Sequence, residues 1–212
     1  MDPKTGEVTT FASGLPESIV GIGGAMDVAF IGATAYVLVT LVGADVGGSD
    51  VVGIYRVDGP NHSTPIADIG AFSISNPPDT SFFIPTGVQY ALETYRGGFL
   101  VTDGHHNRVL RVSLNGEITE LITFDNIVPT GLAVGGNKVY MAEAGPVPHL
   151  PETGRIVSFR TKSPAPQWWQ RVRDSSWTSN SAGVAASTPF RRVCSGTEIP
   201  RVHQRCQTLA AS

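Results

Sequence analysis

Pro85-Thr86-Gly87-Val88 returns as Pro129-Thr130-Gly131-Leu132, and the step from Pro85 to Pro129 is 44 residues. Each copy leads into an apolar run with a glycine pair before or within it. The first is Gly97-Gly98-Phe99-Leu100-Val101-Thr102-Asp103; the second is Gly135-Gly136-Asn137-Lys138-Val139-Tyr140-Met141-Ala142-Glu143. A further strand follows in both, Arg108-Val109-Leu110-Arg111-Val112 and Gly154-Arg155-Ile156-Val157-Ser158-Phe159. An earlier copy reads Gly24-Ala25-Met26-Asp27-Val28-Ala29-Phe30, Ala35-Tyr36-Val37-Leu38-Val39 and Gly53-Ile54-Tyr55-Arg56-Val57. Short β-rich runs at this period, parted by glycine turns, are the pattern of a four-stranded β-propeller blade.

The fourth strand of a blade is legible in Asn115-Gly116-Glu117-Ile118-Thr119-Glu120-Leu121, a tight turn into an alternating run. The chain opens with a similar stretch, Asp2-Pro3-Lys4-Thr5-Gly6-Glu7-Val8-Thr9-Thr10-Phe11. The expectation is therefore an all-β chain: a partial β-propeller over residues 1–160, with about three blades preceded by the outer strand of another. A β-sandwich is the competing architecture.

Composition changes near Arg160. Residues 1–160 hold 8 Lys and Arg against 16 Asp and Glu, whereas residues 161–212 hold 7 against 2. All three Trp and both Cys lie in the second segment, and all five Tyr in the first. The expected division is a propeller over 1–160 and a tail over 161–212. The tail's basic residues are scattered and the chain as a whole is acidic, with a pI of about 5.9, which argues against nucleic acid as a partner. No apolar run reaches the roughly 20 residues that cross a bilayer. Cys194 and Cys206, taken with His203, lack a standard zinc spacing.

The stretch Phe99-Leu100-Val101-Thr102-Asp103-Gly104-His105-His106-Asn107-Arg108-Val109-Leu110 resembles an NHL-type repeat. Taken with Asp2–Val8, Phe83-Ile84-Pro85-Thr86-Gly87 and Pro129-Thr130-Gly131-Leu132-Ala133-Val134, it is similar to the ScyD/ScyE family of secreted six-bladed propellers. The resemblance covers most of residues 1–160. It implies an extracytoplasmic parent protein and a binding or interaction scaffold. It also implies a leader and most of a first blade before Met1, so the chain reads as truncated at its N-terminus.

The tail reads as out of frame. Gln167-Trp168-Trp169-Gln170 restricts its DNA to CAR-TGG-TGG-CAR. In the frame that starts at the third base of the Gln167 codon, the codons permit Leu-Leu-Val-Asp-Val-Glu-Phe-Gly and, a little later, Leu-Tyr-Ala-Leu-Ser. These match Ala25–Phe30 and Ala35–Val39 in order, and the Asp is forced by Trp177 followed by Thr178. The alternative is a natural, basic, disordered tail. Early stops in the alternative frame of the gene would exclude the frameshift.

The chemical candidates are few. His105-His106 beside Asp103 could bind a metal or move protons, but in NHL-like repeats this segment is mainly a turn, in which the Asp and Asn hold backbone groups. Asp27, Asp103 and Glu143 are a conceivable partial ligand set for Ca²⁺, a cation that takes hard oxygen ligands. His106 or His149 would then serve as base in a lactonase-type hydrolase, with the ion polarising the carbonyl. The chain has no Gly-x-Ser-x-Gly elbow, phosphate loop or His-Glu-x-x-His, so enzymatic activity stays open. The insert Phe72–Phe83 is either a ligand-binding rim element or plain mobile surface. The expected partners are a small molecule or protein at the funnel, and a second copy through open blade edges.

Overall fold

The computed structural model describes residues 4–161 and 163–168. They form three sheets of four strands, each antiparallel and in chain order. The first holds β1 (Gly24–Ile31), β2 (Thr34–Thr40), β3 (Gly53–Gly59) and β4 (His62–Asp68). The second holds β5 (Gln89–Tyr95), β6 (Gly98–Asp103), β7 (Arg108–Ser113) and β8 (Ile118–Thr123). The third holds β9 (Pro129–Gly135), β10 (Lys138–Glu143), β11 (Arg155–Arg160) and β12 (Ser163–Trp168). The leading strands β1, β5 and β9 adjoin one another from sheet to sheet, and the other strands step outward from them. These are three blades of a β-propeller, and a continuous two-layer sandwich is excluded.

Successive side chains of a strand point to opposite faces of its sheet, and the central strands β2 and β6 are short runs buried on both faces. The turns then set the register. Between β5 and β6, Arg96 and Gly97 both have positive φ, 48° and 75°. That is the type I′ geometry whose twist matches a two-residue hairpin, and it pairs Tyr95 with Gly98.

Blade packing follows from the alternation. Tyr36, Leu38 and Ile54 of the first sheet meet Phe99, Val101, Leu110 and Val112 of the second. Leu100 and Val109, on the second sheet's other face, meet Val139, Met141, Val157 and Phe159 of the third. Fully burying each such side chain contributes about 1.5–3 kcal/mol. A third cluster, Val37, Val39, Val42, Val52 and Tyr55, lies on the face of the first sheet turned away from the second, and Leu15 packs on it.

Three details depart from the expectation. Residues 7–11 form no strand. A strand exists by pairing, and each described sheet is already complete at four, so this stretch has no ladder to join. The connection after β4 is not loop throughout: α1 (Ile69–Ser75) covers the start of the insert. The Asp68 carboxylate caps that helix by accepting from the Ala71 N–H at 2.7 Å. Finally, β12 lies beyond Arg160 and pairs with β11. The readings of residues 169–212, Cys194, His203 and Cys206 among them, fall outside the described residues.

Candidate functional site

The β2–β3, β4–β5, β6–β7 and β8–β9 connections meet at one end of the strands, and side chains tie each blade's entry to the blade before it. The Asp45 carboxylate, between β2 and β3, accepts from Thr86 N–H (3.0 Å) and Thr86 Oγ1 (2.8 Å) just ahead of β5. Asn107, between β6 and β7, does the same one blade later. Its Oδ1 accepts from the N–H groups of Ile127 and Val128, both at 3.0 Å, just ahead of β9. Its Nδ2 donates to Thr80 Oγ1 at 3.1 Å. The sequence assigned the Asp and Asn of this segment to holding backbone groups; Asn107 holds two, whereas Asp103 holds one and is otherwise engaged by side chains.

Beneath these loops lies a buried polar network. Asp103 ends β6 with its side chain wholly enclosed. Its Oδ1 accepts from Val88 N–H at 3.3 Å, and its Oδ2 lies 3.1 Å from Arg108 Nε, 3.1 Å from His106 Nδ1 and 3.4 Å from Ser73 Oγ. The Arg108 guanidinium, itself buried, donates to the Asn76 carbonyl (2.7 Å), Ser73 Oγ (3.0 Å) and Glu120 (3.3 Å). It also lies over the Phe72 ring, 5.5 Å from its centroid. His106 Nε2 is 3.1 Å from the Ile84 carbonyl, which can only accept, so that nitrogen carries a proton. Its Nδ1 is 3.2 Å from an Arg108 amino group. Neither ring nitrogen is left to take a proton from a substrate. His106 is thus part of the floor that ties α1 and the insert to the β6–β7 turn.

The three carboxylates suggested as calcium ligands have separate partners. Asp27 sits at a bulge in β1, where Oδ2 accepts from Leu92 N–H of the next blade and Oδ1 from Val28 N–H, both at 2.8 Å. Asp103 is committed to Arg108 and its neighbours. Glu143, buried at the end of β10, accepts from Arg155 through Oε1, while Oε2 has no hydrogen-bond partner. Among the described residues no three His, Cys, Asp or Glu side chains converge as a metal cage, so the residues present do not fit an ion drawn from this set. His149 lies in the β10–β11 connection, where its Nδ1 donates to the Gly145 carbonyl at 3.0 Å.

A pocket of about 410 Å³ opens at the loop end, with His106 in its lining. Pro78, Asp79 and Thr80 of the insert line it, as do Thr123 and Asp125 at the end of β8. Asp79 and Asp125 are exposed carboxylates. The insert is fastened at its far end by His105, whose Nε2 accepts from the N–H groups of Phe83 (2.9 Å) and Ile84 (3.1 Å). Burial holds the His105 pKa below the usual imidazole value of 6.5; the neighbouring His106 adds to this and Asp103 opposes it. Sequence reasoning singled out the insert that carries Asp79 and Thr80 without naming either residue, and it did not find Thr123 or Asp125. The two pairs come from separate connections, and only the folded arrangement puts them around one space.

No family model and no curated protein matches the chain. Among solved structures it is similar to a chain of the "Crystal structure of Nidogen/Laminin Complex", with a TM-score of 0.47 and 12% identity over 68% of this chain and 47% of that one. The chain therefore spans about half the length of that neighbour. No helix among the described residues is long and apolar enough to cross a membrane.

Proposed function

We propose that the chain is a propeller scaffold of the ScyD/ScyE kind that binds a small molecule or a protein segment at its loop end, outside the cytoplasm. The observation that carries the reading is the pocket between the insert and the end of β8, whose floor is a network of fully committed polar groups. Its volume is within the roughly 300–1,000 Å³ of small-molecule sites. A rigid floor under variable loops is what a binding surface needs. Catalysis would need a free base or nucleophile, and the imidazole and carboxylate beneath this pocket are held by structural partners. The exposed carboxylates of Asp79 and Asp125 favour neutral or cationic ligands over anions.

The test is a fragment library screened by ligand-observed NMR against the full chain and against Thr123→Trp, which fills the pocket from an exposed position. Fragments that bind the parent should lose binding in the variant, while the melting temperature stays within a few degrees. Fragments that bind both proteins equally, or an absence of any binder, would remove the pocket from the reading.

A further inference from the structure

The insert presents two aromatic side chains to solvent and holds them still. Phe83 is 83% exposed, yet its N–H and that of Ile84 donate to His105 Nε2, and its ring stands edge-on to the His105 ring, 4.4 Å between centroids. Phe82, also exposed, packs edge-on to His106 at 5.2 Å. His106 lines the pocket, so the aromatic pair adjoins the pocket through that ring. Exposed aromatic rings on a fixed backbone lose little entropy when a partner covers them, and such rings anchor protein interfaces.

Charge indicates what covers them. The connections at the loop end span residues 41–52, 69–88, 104–107, 124–128 and 144–154, and none of them contains Lys or Arg. They carry the exposed carboxylates of Asp45, Asp50, Asp79, Asp125 and Glu152. The arginines at the adjoining strand ends, Arg108 and Arg155, are engaged by Asp103 and Glu143. The turns at the other end are mixed, with Arg96 and Lys138 as well as Asp58 and Glu117. Asp79 and Asp125, which line the pocket, have no side-chain hydrogen bond or ion pair among the described residues. Such a surface repels phosphate-rich partners and attracts cations. A small cation would fill the pocket and leave both phenylalanines bare. A protein segment matches the charge and the apolar area together.

Resting on the reading of the pocket as a binding site, we propose that the loop end docks a basic protein segment: a lysine or arginine side chain enters the pocket lined by Asp79 and Asp125, and an apolar neighbour covers Phe82 and Phe83. The alkyl stem of the basic side chain has Pro78 and Phe124 to lie on. The aromatic pair then supplies apolar contact area, and the carboxylates select the sign of the partner's charge.

The experiment is fluorescence anisotropy on the full chain with short labelled peptides in which Leu alternates with Arg, with Gln or with Glu. The Arg peptide should bind, more weakly as salt rises. The Gln peptide should bind about tenfold more weakly or worse, and the Glu peptide should not bind. Asp79→Asn combined with Asp125→Asn changes two exposed groups and should weaken the Arg peptide about tenfold. Phe83→Ser leaves the backbone bonds to His105 in place and should weaken it by a similar factor. Glu117→Gln, on an opposite turn, should leave binding unchanged. An Arg peptide that does not bind the parent overturns the proposal, as does a Gln or Glu peptide that binds equally well. So does a double variant that binds like the parent, or a Glu117→Gln chain weakened as much as the double variant. A Phe83→Ser chain that binds like the parent overturns the choice of a protein segment over a small cation. Fragments that still occupy the pocket when the Arg peptide fails would sink the basic partner and spare the pocket; failure of both would sink both.

Discussion

The second and third blades place the same ion pair in the same position and surround it differently. Asp103 ends β6 and pairs with Arg108 at the start of β7; Glu143 ends β10 and pairs with Arg155 at the start of β11. The Asp103 pair is enclosed on both sides, and both carboxylate oxygens have partners: Val88 N–H on Oδ1, and Arg108 Nε and the Ser73 hydroxyl on Oδ2, while the Asn76 and Ile84 carbonyls accept from the neighbouring Arg108 and His106. The Glu143 pair has a buried carboxylate with one oxygen unpartnered and an arginine side chain that is 38% exposed. An ion pair in a blade is thus not by itself a rigid element. What makes it one is the connection laid over it, and only the second blade has the helix and insert.

The largest expected effect follows from that contrast. Asp103→Asn presents an amide group to donors that now share a carboxylate and leaves the buried Arg108 charge with only the half-exposed Glu120 carboxylate opposite it. Breaking a buried pair in this way costs about 3–5 kcal/mol. Glu143→Gln keeps an oxygen for Arg155, whose guanidinium reaches water, and should cost no more than about 1 kcal/mol. Urea unfolding of the two variants measures both. Equal costs would mean the covering connection contributes nothing, and the comparison between blades would fail.

A smaller effect should separate the two copies of the Pro-Thr-Gly motif. Gly87 has φ of 75°, and a Cβ there would come within 2.4 Å of Asp103 Oδ1. Gly131 occupies an ordinary conformation, and its Cβ would meet only Ala142 Cβ, at 3.5 Å. Gly87→Ala should therefore cost about 1–3 kcal/mol through backbone strain and displacement of the carboxylate. Gly131→Ala should stay within about 0.5 kcal/mol. One repeated motif then serves two needs: room for the Asp103 network in one blade, and simple entry to β9 in the other. Matching costs would show that the glycine answers to the repeat and not to the network.

How far the sequence could be read depends on how local each feature is. The central strands of each blade were legible because their apolar runs are local: β2, β6 and β10 each fall within six or seven residues. The structural use of Asp103 and Asn107 was legible from the resemblance of their segment to a known repeat; their partners, Arg108 and Val88 for one and Ile127 and Val128 for the other, were not. Residues 7–11 have an equally strand-like pattern and form none, since pairing is a property of the partner as much as of the segment. The helix Ile69–Ser75 is too short to show its period. The pocket was legible only in part: the insert Phe72–Phe83 and His106 stood out, but not the end of β8 that faces them. Asp79 and Asp125 lie on different connections, and their approach depends on His105 and Asn107 drawing those connections together, which no spacing along the chain records.

The smallest effect is a pH dependence confined to the second blade, and its sign follows from which nitrogen bears the proton. His105 Nε2 accepts two backbone N–H bonds, so the folded chain needs that nitrogen unprotonated. Its pKa is lowered on folding, first by burial and then by the charge of His106, with Asp103 pulling the other way. The other charged groups near this corner are Arg108, buried against Asp103, and the exposed Asp79 and Asp125 of the adjoining pocket. The stabilisation is complete above the unfolded value of about 6.5. It is lost as pH falls from there through the lowered folded value, because the unfolded chain takes up a proton that the folded one refuses. His149, in the matching connection of the third blade, donates from Nδ1 to the Gly145 carbonyl instead of accepting from backbone N–H groups there. Hydrogen exchange at Phe83 and Ile84, corrected for its intrinsic pH dependence, should therefore speed up as pH falls below about 6.5, while the amides of the β10–β11 connection hold their protection. His105→Phe should remove the pH dependence at Phe83 and Ile84. If it persists in that variant, the acid-sensitive group is another one, and the insert is held by something other than this ring.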